Sequence, residues 1–126
     1  MRSLLVQGEL SVADLVGAFD SAVGERQGHS SYTLGNVRVL QLVGRKFFFR
    51  SNDYLGVVLL AATDGVSQRI DIGYAGGGSG LLGVEWGAGD KLEGSLFDAV
   101  TQALQARSLP FQDATAPPPD ANQPLR

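Results

Sequence analysis

Three glycines, Gly78, Gly80 and Gly83, stand at G-x-G-x-x-G spacing in the stretch YAGGGSGLLGVEW. Such spacing can cradle a pyrophosphate when a strand leads into it and a helix starts on it, because the helix N-terminus then meets the anion. Here the residues that follow, VEWGAGDK, start no helix, and no Lys-Ser/Thr pair completes a phosphate loop. The acidic residue at the distance a ribose partner would occupy is Asp98, within a helical pattern. Nine of the seventeen glycines fall between Gly73 and Gly94, so the spacing arises readily from composition. The stretch reads as a corner where backbone packs closely, and no cofactor is expected.

Nucleophilic chemistry fares no better. Ser79 in GGSGL lacks the last glycine of G-x-S-x-G and has no strand-to-helix elbow around it. His29 is the only histidine and so the only possible histidine base, and Ser79, His29 and Asp71 can be written as a triad on paper. A single histidine at a polar strand start reads as solvated. Asp71 and Glu85 could meet across adjacent strands as paired carboxylates, but plain exposure explains both. With no cysteine, one histidine and no D-x-D-x-D-G loop, no metal site is expected. No catalytic residue is assigned, and the chain reads as non-enzymatic.

The segment GRKFFFR, Gly44 to Arg50, mixes basic and aromatic residues as RNA-stacking sheets do. It lacks the glycine-aromatic alternation of the RNA-recognition signature, and the net charge of −3 with pI near 4.9 provides no attractive field. Nucleic acid is not an expected partner. In this segment Phe47 and Phe49 are expected to face the core, leaving Phe48 outside. The longest apolar block, Val57 to Ala62, is far short of the roughly 20 residues a membrane helix needs. The short N-terminal apolar run is strand-like rather than a secretion signal. Absence of cysteine suits a reducing compartment, so a soluble, cytoplasmic protein is expected.

These side chains must be positioned by a single domain, given 126 residues. All five prolines lie at or beyond Pro110 and all seventeen glycines before it. This break sets a domain over 1–109 and a Pro-rich, extended or disordered tail over 110–126, with Phe111 able to pack back.

Residues 2–9 read as a strand, with Leu4 and Val6 on one side and Ser3, Leu5 and Gln7 on the other. Ser11 caps a helix, with Asp14 at the third position and an apolar stripe of Val12, Leu15, Val16, Phe19 and Val23. Gly24 and Gly28 supply stop signals. Strands follow over His29–Leu34, over residues 37–50 with a bend or bulge at Gly44, and over Tyr54–Thr63. Asp64–Gly65 fits a two-residue type I′ turn into Val66–Ala75. Leu81–Trp86 reads as a sixth strand. A second helix starts at Asp90 or Ser95, carries Leu92, Leu96, Val100, Ala103 and Leu104, and ends near Arg107. The order β-α-β-β-β-β-β-α predicts an α+β domain, an antiparallel sheet of about six strands with two helices packed on one face.

One mismatch bears on function. Residues 66–75 alternate cleanly, whereas the preceding strand sets Leu55, Val57 and Leu59 against Val58, Leu60 and Ala62. Residues 37–43 likewise set Val37, Val39 and Val43 against Leu40 and Leu42. Two helices cover one face only, so the other needs a curved cavity, a partner subunit or the tail.

The order of elements, closing on a long helix over an antiparallel sheet, resembles the TBP-like and helix-grip topologies. GNVRV, then long strands, then GGGSGLLGVEW and a closing helix also resemble small bacterial families of unknown function. Composition poor in Lys and rich in Arg, Ala and Gly suits a prokaryotic source. The helix-grip resemblance implies an apolar ligand held between helix and sheet.

Two functions are expected from this. The first is a self-associating module, a homo-oligomer whose contact comprises Phe48, Leu55, Val57 and Leu59. The alternative is a carrier of a small apolar ligand, with a pocket lined by the closing helix and by Tyr74, Trp86 and Phe97.

Overall fold

The computed structural model describes residues 1–48, 53–75 and 88–115. The elements are β1 (Arg2–Gln7), α1 (Val12–Val23), β2 (Glu25–Leu34), β3 (Val37–Phe48), β4 (Asp53–Thr63), β5 (Ser67–Ala75), α2 (Ala88–Ala106) and β6 (Phe111–Asp113). The six strands form one antiparallel sheet in the order β2-β3-β4-β5-β1-β6. Both helices pack on one face of it and against each other, the expected α+β class.

Helix α1 begins as its sequence predicts. The Ser11 side chain accepts a hydrogen bond from the Asp14 N–H at 3.1 Å, satisfying one of the donors that a helix start leaves open. Gly24 ends the helix with φ 88°, a backbone conformation suited to glycine, and its N–H donates to the Asp20 carbonyl at 3.0 Å. The chain enters β2 directly at Glu25, so this strand is longer than the expected His29–Leu34. Gly28 therefore lies inside a strand and terminates nothing.

The irregularity expected at Gly44 lies across the ladder, where the β2–β3 register shifts between Arg26 and Gly28. Gly44 itself pairs in unbroken register with β4. Its role is close approach: a Cβ there would sit 2.6 Å from the Glu25 carbonyl oxygen and 2.8 Å from a Phe19 ring carbon.

The β4–β5 connection departs from a two-residue turn. Only Gly65 of this loop has positive φ, whereas a type I′ turn needs two such residues. The Asp64 carboxylate accepts from the Val66 and Ser67 N–H groups, each at 2.9 Å, and holds a longer loop together.

The start of α2 precedes Asp90, which falls in its first turn rather than at its cap. The expected sixth strand over 81–86 lies outside the described residues. The sixth strand described is β6, from the first residues after Pro110. Gln7 donates its N–H to the Pro110 carbonyl at 2.8 Å, Leu4 pairs with Asp113 and Val6 with Phe111. An open edge on β1 supplies these bonds, and proline composition carries no signal of such a long-range pairing.

The core lies between the helices and one sheet face. Leu4, Val6, Leu40, Leu42, Leu55, Val57, Leu59, Ile70 and Ile72 from the sheet meet Leu15, Phe19, Val23, Leu92, Leu96, Val100 and Leu104 from the helices.

Candidate functional site

Register decides which side chains share the remaining face of the sheet. Val39 pairs with Ala62, Gln41 with Leu60, Val43 with Val58 and Phe47 with Tyr54. Because alternate residues of a strand face the same way, all eight stand opposite the helix-covered Leu40, Leu42, Leu55, Val57 and Leu59. Among the described residues no helix covers this outer face. Val43 and Tyr54 are each 40% exposed and Phe47 38%. The Phe47 and Tyr54 rings sit 5.1 Å apart between centroids. Phe47 thus faces away from the core it was expected to join.

Paired charges flank this apolar centre on both sides. Toward β2, Arg45 lies 3.2 Å from Glu25 and its guanidinium stacks 4.1 Å above the Tyr54 ring. Toward β1, Arg69 lies 3.1 Å from Asp71, which also accepts from the Ser3 hydroxyl. The face is therefore locally neutral around an apolar middle.

The expected contact residues divide. Leu55, Val57 and Leu59 are 3%, 2% and 0% exposed and lie in the core, so the face assignment for this strand is reversed. Both faces of β4 are apolar, and alternation alone carries no information about which one the helices cover. The Phe48 backbone pairs with Asp53, and its side chain lies outside the described residues.

The expected ligand residues are not gathered into one pocket among the described residues. Tyr74 donates its hydroxyl to the Asp90 carboxylate at 3.2 Å, at the start of α2. Phe97, seven residues or about 10 Å further along the helix, lies under the Arg2 guanidinium at 3.5 Å. Between them α2 sends Leu92 and Leu96 into a filled core. Trp86 lies outside the described residues.

Of the residues weighed for catalysis, the two that are described, His29 and Asp71, stand apart. His29 pairs with Leu42 on the helix side of the β2 edge, while Asp71 faces outward on β5 with β3 and β4 between them. Ser79 and Glu85 lie outside the described residues. Among the described residues no group of three His, Cys, Asp or Glu could hold a metal ion, and no helix is long and apolar enough to cross a membrane.

A half-open groove of about 500 Å³ lies on the helix side, at the opposite end of β5 from Tyr74. Val12 and Leu15 of α1, Ser31 and Thr33 of β2, Arg38 and Leu40 of β3 and Ala61 of β4 line it, with Glu9 at the rim. Val12, the first residue of the α1 apolar stripe, is 59% exposed there rather than packed. Arg38 donates to both Glu9 carboxylate oxygens at 2.9 Å. Sequence periodicity placed Val12 in the core because its helix face is right; what it lacks is an opposing element.

No family model, curated protein or solved structure matches this chain.

Proposed function

We propose that the chain is a non-enzymatic module that self-associates through the outer face of its sheet, with Val43, Val58, Leu60 and Ala62 central and Phe47 and Tyr54 beside them. The observation that carries this is a sheet apolar on both faces with helices on one. The occupant is a second copy of the chain. A slightly twisted sheet packs best on another sheet at about 10 Å spacing, and a two-fold axis lets one patch serve both sides. The charges suit this arrangement, since Arg45–Glu25 and Arg69–Asp71 are internally paired and bring no net charge into such a contact. The cysteine-free composition supports a cytoplasmic setting.

Native mass spectrometry tests the reading. A dimer or higher species that becomes monomeric in Val58→Glu supports it, and a wild-type monomer at every concentration overturns it.

A second reading, a carrier of a small apolar ligand, is favoured by the half-open groove beside α1 rather than by Tyr74 and Phe97. Its volume of about 500 Å³ falls in the range of small-molecule sites.

A further inference from the structure

The groove beside α1 has polar groups in two layers, and only one is available to a ligand. At its floor, Gln68 is buried and already bonded to Leu10 of the chain: its Oε1 accepts from the Leu10 N–H at 2.9 Å and its Nε2 donates to the Leu10 carbonyl at 3.3 Å. Thr63 is likewise engaged, donating to the Ser67 carbonyl at 2.9 Å and accepting from the Gly65 N–H at 3.0 Å. With those groups occupied, the deep part of the groove offers apolar contact from Leu15, Leu40 and Ala61. Val12 extends that apolar wall toward the mouth.

At the mouth the offer is different. Arg38 uses one guanidinium nitrogen, Nη2, on both Glu9 oxygens, leaving donors on Nε and Nη1. Thr33 stands directly across the ladder from Arg38, and Ser31 lies two residues back on the same face of β2. A cation and an anion therefore stand together at the open end of an apolar cleft. A ligand bearing a single charge would satisfy one of them and crowd the other with like charge. A zwitterion satisfies both, its carboxylate on Arg38 and its ammonium on Glu9. The pair it replaces is solvent-exposed, and such pairs contribute little, so opening it is cheap.

We propose that this groove binds a free α-amino acid with an apolar side chain, the side chain against Val12, Leu15, Leu40 and Ala61 and the zwitterionic head at Arg38 and Glu9. This rests on the carrier reading and is independent of self-association, which uses the opposite face of the sheet.

Three probes that share one apolar body test it: L-phenylalanine, 3-phenylpropionate, which lacks the ammonium, and 2-phenylethylamine, which lacks the carboxylate. Each is titrated into the full chain while backbone amide resonances are followed. The expected result is saturable shifts at Ser31, Thr33, Arg38 and Ala61 with L-phenylalanine, and affinity about tenfold lower for each single-charge analogue. Arg38→Gln, at an exposed side chain, and Glu9→Gln, at a half-buried one, should each lower L-phenylalanine affinity by about tenfold with the remaining spectrum unchanged. Equal affinity for the three probes would overturn the head assignment and leave the carrier reading standing. Absence of groove shifts with all three would overturn both.

Discussion

Leu59 and Leu60 are neighbours in the chain and identical in chemistry, yet they lie on opposite sides of one sheet. Leu59 is fully buried beneath the helices, and Leu60 stands half-buried on the outer face among Val58, Gln41 and Ala62. Nothing in β4 itself distinguishes them. The distinction comes from where the helices are anchored: α1 is held over Gly44 by Phe19, and α2 packs on β4 and β5. Leucine and valine gathered on a face that no helix covers are what a contact surface would carry, which is why self-association is proposed for it.

The sharpest way to break this comparison is a pair of truncations. Leu59→Ala should cost about 2–5 kcal/mol, from lost transfer energy and the cavity left behind. Leu60→Ala should cost about 1 kcal/mol or less when measured on the monomer. Urea midpoints at unchanged slope give both values. Similar costs for the two would mean that the outer face is as well packed as the core.

Next in size is Gly44→Ala, which probes how α1 is seated. The added Cβ meets backbone at Glu25 as well as the Phe19 ring, and backbone cannot swing aside. A loss of about 1–3 kcal/mol is expected. A neutral result would show that α1 rides loosely on β3.

Val58→Glu should change stability by about 1 kcal/mol or less while abolishing association, because the new carboxylate reaches water only when the face is open. Val57→Glu sharpens the contrast, since the same change one residue earlier places a charge in the core and should prevent folding.

The smallest effect is on acid stability. Asp14 is held below the usual carboxylate range by its hydrogen bond to Arg107. Asp64 is lowered by the backbone N–H groups of Ser67 and Val66, and Asp113 by Thr115. A carboxylate lowered by folding contributes stability that is present above its unfolded pKa, near 3.9, and lost as pH falls through its folded value. Unfolding curves should therefore be flat above about pH 5 and weaken below pH 4. Asp14→Asn should reduce that acid dependence, and an unchanged profile would remove Asp14 from the account.

Much of this architecture was legible because local rules were obeyed. Ser11 and Asp14 mark a helix start, Leu15, Phe19 and Val23 keep its period, and Ile70 and Ile72 alternate with Arg69 and Asp71 across β5. Three features were not legible, each because it depends on distant chain. The covered side of β4 is set by helix placement. Strand β6 forms because β1 has a free edge. The groove exists because Val12 faces no opposing element. A clue to the first was present in Gly44, whose absent Cβ marks the inner side of β3 and, through register, of β4.

Sedimentation equilibrium of the wild type and Val58→Glu across a wide concentration range tests the central claim most directly. A reversible dimer or larger species is expected for the wild type, and a folded monomer for the variant. A wild-type chain that stays monomeric at the highest concentration, or a Val58→Glu chain that associates as well as the wild type, would contradict it.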